Sequence, residues 1–259
     1  MKPIIKSFLD RDRYKFTMGQ FISFKYPKVI VENTFFNRTK DEDVREILVY
    51  LIPYINQQFE LLSKLRITFS EMAYMKSTGI YREEYLNFLS QLNLIKLKAE
   101  KIELDGKSYL SIKYSGLWSE KSIYETDALS IVSELYSRVV ASRRYVKQNS
   151  LSDEKLLITL GEALNGDEAT LDLINAPYYE EAMKRLDAKI LILKNHPEIK
   201  FFDFSTRRRF SQELQERILL KLSNEFHKPQ FIGISQFLGT SNEYIGFKHG
   251  IKVGGTYAH

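Results

Sequence analysis

Beyond Gly116 the chain alternates helical runs with short apolar runs, and this rhythm restricts the possible folds more than any other feature. Glu125–Tyr145 is one long helical pattern, with Leu129, Val132, Leu135, Tyr136 and Val139 spaced to face a core. Ser150–Asn175 is polar, holds Gly161 and Gly166, and reads as short helices or an ordered excursion. Tyr178–Leu193 is helical again, Lys200–Phe204 a short strand and Phe210–Asn224 a helix. A strand follows at Phe231–Ile234 or Gln236–Leu238, then a helix over Asn242–His249 and a last strand at Ile251–Val253. Strands and helices in alternation argue for a parallel α/β arrangement, in which ligands gather at the carboxyl ends of strands. Three segments sit immediately after candidate strands: Thr206–Ser211, Gly239–Asn242 and Gly255–His259.

The first hundred or so residues have a different texture and read as α+β. A helix is expected over about Asp12–Tyr26, with Tyr14, Met18, Phe21 and Ile22 on one side. Lys28–Arg38 alternates as a half-buried strand would, with Val29, Val31 and Phe35 on one face. Asp41 is placed to cap the next helix, which Pro53 bends, and a helical pair follows around Ser70–Ser90. Asp105-Gly106 between Leu94–Leu104 and Lys107–Tyr114 signals a tight hairpin.

Composition excludes several classes. The 259 residues contain no cysteine, which removes disulfides, thiolate nucleophiles and cysteine zinc sites. The N-terminus reaches Asp10-Arg11-Asp12-Arg13 without the apolar run of about 7–15 residues that a signal peptide needs. No uncharged run approaches the roughly 20 apolar residues of a membrane span. The expectation is a soluble, cytoplasmic protein with no membrane partner. A net charge of +5 over this length gives no basic stripe, and no nucleic-acid motif is present, so nucleic acid is not an expected partner. His196, His227 and His249 lack metal-ligand spacing, and no protein-held metal site is expected.

At five places the chain resembles the nicotinate phosphoribosyltransferase family. Leu9-Asp10-Arg11-Asp12-Arg13-Tyr14-Lys15-Phe16-Thr17-Met18 is similar to the family's opening Leu-Asp-Thr-Asp-x-Tyr-Lys-x-Thr-Met. Tyr124-Glu125-Thr126-Asp127-Ala128-Leu129-Ser130 resembles its Glu-Thr-Pro-Leu-Leu stretch. Asp203-Phe204-Ser205-Thr206-Arg207-Arg208-Arg209-Phe210-Ser211 is close to its Asp/Glu-Phe-Gly-Thr-Arg-Arg-Arg-Phe-Ser. Gly239-Thr240-Ser241-Asn242 matches directly, and Gly255-Thr256-Tyr257-Ala258-His259 fits Gly-Thr-x-Ala-His. Each is weak alone; five in order are specific. Ser205 and Asp127 depart from the family's usual glycine and proline.

The resemblance implies an irregular, TIM-like α/β barrel carrying an α+β domain, with residues 1–120 as the α+β domain and 121–259 as the first part of the barrel. It implies joining of nicotinate to phosphoribosyl pyrophosphate in NAD salvage, with Mg²⁺ as cofactor, ATP as co-substrate and a dimer as the working unit. Tyr14 would stack on the pyridine ring, in a partner's site, and Phe204 would supply the second face of the sandwich. Arg207 is assigned to the nicotinate carboxylate and the reaction centre, since a guanidinium fork suits a carboxylate. Thr206, Arg208 and Asn242 join it as substrate-binding residues. Three consecutive arginines cannot face one way, so one is expected to be structural, paired to a carboxylate such as Asp203 or Glu213. Ser241 would favour the acid over the amide, because relatives acting on nicotinamide carry an aspartate there. Gly-Thr-Ser-Asn is also a helix start that Ser241 or Asn242 could cap. His259 is the expected phosphate acceptor.

The family continues well past the residue matching His259. The expectation is therefore that this 259-residue chain, lacking the later barrel strands and the 5-phosphate loops, is inactive alone unless a second polypeptide supplies them. Other readings are a nicotinamide or quinolinate phosphoribosyltransferase, a basic binding module, and a non-catalytic partner subunit. Ser241 disfavours the nicotinamide enzyme, and the Thr206–Ser211 run disfavours the quinolinate enzyme.

Overall fold

The computed structural model describes residues 1–37, 39–226 and 235–255. The chain enters through helix α1 (Arg13–Lys25) and strand β1 (Ile30–Phe36), then four helices, α2 (Glu42–Tyr50), α3 (Ile52–Ser63), α4 (Phe69–Ser77) and α5 (Glu83–Gln91). Asp41 caps α2 by accepting from the Val44 amide at 3.1 Å. Pro53 lies in the first turn of α3, where its missing N–H costs nothing, and the break at Leu51 separates α2 from α3 as the sequence implies.

Strands β2 (Ala99–Leu104) and β3 (Lys107–Leu117) form the expected hairpin. Asp105 and Gly106 have φ of 50° and 70°, the left-handed pair that a type I′ turn requires. β1 adds to the other edge of β3, giving an antiparallel sheet in the order β1-β3-β2. The short helix α6 (Trp118–Lys121) leads into α7 (Tyr124–Gln148).

The polar stretch after Ser150 is more regular than its periodicity suggests. Ser152 caps α8 (Asp153–Asn165), Gly166 ends it with φ of 80°, and Asp167 caps α9 (Glu168–Lys194). α9 continues through Pro177 without a break, with Ile174, Asn175 and Tyr179 buried around the proline. Helical order thus begins ten residues before Tyr178. Strand β4 (Phe201–Asp203), a 3₁₀ turn over Thr206–Arg208, α10 (Gln212–Phe226), β5 (Phe237–Thr240) and α11 (Glu243–His249) complete the order. Of the two strand candidates near residue 235, the second forms; Phe231–Ile234 lies outside the described residues.

β4 and β5 pair in parallel, and Thr240 makes a parallel bridge to Val253. Three neighbouring segments therefore run in one direction, as the strand–helix alternation requires, and the fold is mixed α/β. The described residues form no closed barrel.

Three apolar clusters hold the described residues together, the smallest being Ala141, Ala163 and Ile174 where α7, α8 and α9 meet. The largest joins Phe8, Leu9 and Phe16 to α2–α5, β2 and β3, and extends into α7 through Ala128, Ile131, Leu135 and Val139. α7 thus packs on the N-terminal elements, across residue 120. The second joins Ile190, Leu219, Leu222, Phe237, Ile245 and Ile251 around the parallel strands. One expected face is corrected. α1 buries Lys15, Phe16, Gly19 and Ile22, whereas Phe21 is 55% exposed. Gly19 is what Tyr85 packs against, since a Cβ there would lie 2.5 Å from its hydroxyl.

Candidate active site

The N-terminal strap positions the site. Residues 9–13 run antiparallel to 241–244. The Arg13 amide donates to the Ser241 carbonyl at 2.7 Å, and the Glu243 and Tyr244 amides donate to Arg11 and Leu9 carbonyls at 2.9 Å. Asp10-Arg11-Asp12-Arg13 leads from a turn, in which the Arg11 amide donates to the Leu9 carbonyl at 2.6 Å, into the first residue of α1, and each of its four side chains finds its own partner. Asp10 receives Arg209 through two bonds of 2.7 and 2.8 Å and Asn242 Nδ2 at 2.8 Å. Asp12 accepts from the Ser241 hydroxyl at 2.6 Å. Arg11 reaches Asp127 at 2.7 Å with both side chains fully buried, and Arg13 clasps Glu243 at 2.7 and 2.8 Å. Burial pushes the Asp127 carboxyl above the usual carboxylate range despite Arg11 beside it.

Beyond β4 the chain turns on Asp203. Its carboxylate accepts from the Ser205 hydroxyl at 2.6 Å, Thr240 Oγ1 at 2.9 Å and Gln215 Nε2 at 3.0 Å. That anchor aims the three arginines apart. Arg207 Nη1 donates to Glu125 Oε1 at 2.7 Å, Arg208 is exposed with no ion pair among the described residues, and Arg209 is buried against Asp10. One arginine is structural, as expected, but its partners are Asp10 and Glu134 instead of Asp203 or Glu213. Asp203 is already committed to four neutral donors, counting the Ser205 amide, and Glu213 pairs with Arg217.

Arg207 opens onto a cavity of about 560 Å³, walled by Tyr14, Lys15, Phe35, Tyr114, Lys121 and Glu125 among others. Glu125 bridges Arg207 and Lys15 with its two oxygens. Burial raises its carboxyl pKa, yet Lys15 and Arg207 together outweigh that and hold it below the ordinary value. The Lys15 ammonium lies 4.8 Å from the centre of the Tyr14 ring. Burial, reinforced by Glu125, pushes the Tyr14 hydroxyl well above its usual range, so the ring stays neutral. Three cations against one carboxylate leave these walls net positive, an environment for an anion that also has a flat apolar face.

Of the sequence-predicted residues, Tyr14 and Arg207 share this cavity. Thr206, Ser241 and Asn242 are fully buried and are not among its walls: Asn242 Nδ2 reaches Asp10 and Thr206, its Oδ1 caps α11 by accepting from the Ile245 amide, and the Ser241 hydroxyl donates to Asp12. Phe204 is 47% exposed, with its ring 6.0 Å from Phe202 and not among the cavity's walls. Gly254 and Gly255 thread between Phe202 and Tyr14, where a Cβ on Gly254 would lie 2.7 Å from the Phe202 ring. Their course brings Gly255 to the foot of α1. His259 itself lies outside the described residues.

Lys15, Lys121 and Glu125 are site residues that sequence reasoning did not single out. Lys15 and Glu125 fall inside the quoted motifs, so their signal was present. Lys121 had none, because it depends on Gly116 (φ 142°) leaving room for its side chain. Among the described residues no three His, Cys, Asp or Glu side chains are grouped to hold a metal ion. These residues do not fit a protein-held Mg²⁺. No described helix is long and apolar enough to cross a membrane.

Comparison with known proteins identifies the family. A family model described as the nicotinate phosphoribosyltransferase (NAPRTase) N-terminal domain matches residues 9–133, and the NAPRTase family model matches residues 199–259. A nicotinate phosphoribosyltransferase from Burkholderia mallei is 30% identical over 266 residues, covering 99% of this chain and 54% of the relative. One from Cupriavidus necator is 30% identical over 263 residues, covering 99% and 55%. A crystal structure of nicotinate phosphoribosyltransferase from Vibrio cholerae superimposes with a TM-score of 0.69 at 26% identity, covering 99% of this chain and 52% of that one. The chain spans about half the length of the curated relatives it matches. Matching models at both ends, in the order of the motifs, place this chain in the nicotinate phosphoribosyltransferase family.

Proposed function

We propose that this chain contributes the nicotinate-binding side of a phosphoribosyltransferase site that joins nicotinate to phosphoribosyl pyrophosphate in NAD salvage. The observation that carries the reading is the meeting of Tyr14 and Arg207 in one net-positive cavity. An aromatic carboxylate would lay its ring on Tyr14 and its carboxylate on the Arg207 edge that Glu125 leaves uncommitted. Thr206, Ser241 and Asn242 act by fixing the turn that carries Arg207.

In the reaction the pyridine nitrogen forms a bond to the anomeric carbon, and pyrophosphate departs with the electron pair of the broken C–O bond. Positive charge develops on the ribose, so the protein's work is positioning and fixed electrostatics, with no general base required. ATP coupling through His259, completion of a TIM-like barrel, and assembly with a second copy or a complementing chain belong to the same reading.

Isothermal titration of the chain with nicotinate and nicotinamide tests the reading. Saturable nicotinate binding that is stronger than nicotinamide binding and lost in Arg207→Ala supports it. Nicotinate binding that ignores Arg207→Ala would sink it.

A further inference from the structure

Glu125 is the one acidic side chain among the walls of the Tyr14–Arg207 cavity. It occupies part of the group that a ligand's carboxylate would use. Arg207 Nη1 donates to its Oε1 at 2.7 Å, and the Arg207 guanidinium makes no other hydrogen bond among the described residues. We propose that Glu125 is a specificity-determining residue of this cavity, a resident carboxylate that shares Arg207 with the ligand and so limits how strongly an aromatic acid is preferred over its neutral amide. The inference rests on the nicotinate-binding reading above and adds to it the residue that sets the size of the preference Arg207 creates.

The cations of the cavity are not equally free to answer a ligand. Lys121 has Glu120, which is not a wall residue, at 3.2 Å. Lys15 and Arg207 share Glu125 between its two oxygens. The Lys15 side chain is 4% exposed, so its ammonium stays with Glu125, whereas that of Arg207 is 35% exposed and keeps unbonded N–H groups. These two cations also hold the Glu125 carboxyl below its ordinary pKa, so it is ionised at neutral pH. Two cations and one carboxylate leave the trio with a single net positive charge. An entering carboxylate cancels that charge, and a carboxamide does not. Without the Glu125 charge the same walls would carry two, and attraction for an acid would rise while that for a neutral amide would not.

A purely structural role for Glu125 makes a different forecast. The bridge also ties the first turn of α7 to α1 and to the arginine turn. If it did no more than hold these elements together, cutting it would weaken acid and amide alike. Glutamine separates the two roles, because it keeps the length of the side chain and an oxygen for Arg207 and removes only the charge. Lys15→Met is the opposite change. It leaves the Glu125 charge to Arg207 alone, takes the trio from one net positive charge to none, and should move the preference the other way.

Titration calorimetry of the chain with nicotinate and nicotinamide at neutral pH, on wild type, Glu125→Gln, Lys15→Met and Arg207→Ala, is the test. In Glu125→Gln the Kd for nicotinate should fall by about three- to fivefold, the scale of one partly screened charge, while the Kd for nicotinamide stays where it was. In Lys15→Met the Kd for nicotinate should rise by a similar factor relative to that for nicotinamide. Glu125 is 42% exposed, so its glutamine variant keeps the fold and decides the question even if Lys15→Met does not fold. Nicotinate binding that Arg207→Ala abolishes but whose ratio to nicotinamide binding is the same in Glu125→Gln as in wild type overturns this proposal and leaves the cavity reading standing. Equal weakening of both ligands in Glu125→Gln does the same. Absence of nicotinate binding in wild type, or binding that ignores Arg207→Ala, overturns both.

Discussion

Arg209 and Asp10 meet through two parallel hydrogen bonds of 2.7 and 2.8 Å although they stand 199 residues apart, and both side chains are almost completely buried. This fork ties the N-terminal strap to the arginine turn, and Asn242 joins the same carboxylate. Asp10→Asn keeps the size but leaves Arg209 buried beside a neutral amide, with the more distant Glu134 at 3.6 Å and Asp127 to offset its charge. The expected loss of unfolding free energy is about 3–5 kcal/mol. Arg209→Met combined with Asp10→Asn should lose less than the two single changes added together, because neither charge is then stranded. Urea unfolding of the four proteins measures both quantities.

Glu125 gives a pH signature. Its folded pKa lies below its ordinary value, so the stability it adds is present above the unfolded value of about 4.3 and lost as pH falls through the lower folded value. The difference between wild type and Glu125→Gln in chemical unfolding should therefore be largest at neutral pH and shrink toward zero in acid. Its side chain is 42% exposed, so the neutral-pH difference should stay under about 1 kcal/mol. A difference that grows below pH 4 would contradict the Lys15–Glu125–Arg207 bridge.

Two glycines respond in opposite senses. Gly239 has φ of 129°, and a Cβ there would lie 1.9 Å from the Lys252 carbonyl oxygen, on the segment that pairs with β5. Gly239→Ala should cost about 2–5 kcal/mol from combined strain and overpacking. Gly161 sits within α8 with nothing within 4 Å of its would-be Cβ. Gly161→Ala should stabilise by about 0.5–1 kcal/mol. Melting temperatures of the two variants should move apart.

These contrasts mark what the sequence could and could not disclose. The hairpin at Asp105-Gly106, the cap at Asp41 and the break near Pro53 were legible, because each depends on residues adjacent in the chain. The parallel strands were legible from alternation. The pairing of Arg209 with Asp10 was not, because three neighbouring arginines and several carboxylates allow many pairings until the strap is laid beside residues 241–244. The α1 face was misjudged for a related reason. Phe21 looks like a core residue by type, but the helix turns Lys15 inward to meet Glu125 and leaves Phe21 outside. At the site, Tyr14 and Arg207 were named from motif and share a cavity, whereas Lys121 needed the fold to appear.

Ser241 offers the sharpest test of how the site discriminates. Sequence reasoning assigns it a direct part in preferring an acid, since a carboxylate at this position would repel nicotinate. In the structure it is fully buried, and its hydroxyl is spent on Asp12 at 2.6 Å. Ser241→Asp would press a second carboxylate against Asp12 in a dry environment, where two neighbouring carboxylates cannot both ionise. The strap would have to shift or one group take up a proton. The expected outcome is a loss of about 3 kcal/mol or more at neutral pH, partly recovered as pH falls toward 5. Ser241→Ala removes one hydrogen bond to a charged acceptor and should cost about 1.5–3 kcal/mol, while leaving the Tyr14–Arg207 cavity in place. Denaturant unfolding at pH 5 and pH 7.5, beside nicotinate and nicotinamide titrations, separates the two roles. Preference for nicotinamide in a stably folded Ser241→Asp variant would show that the residue reads the ligand directly; loss of the fold with no change in preference would show that it acts through Asp12.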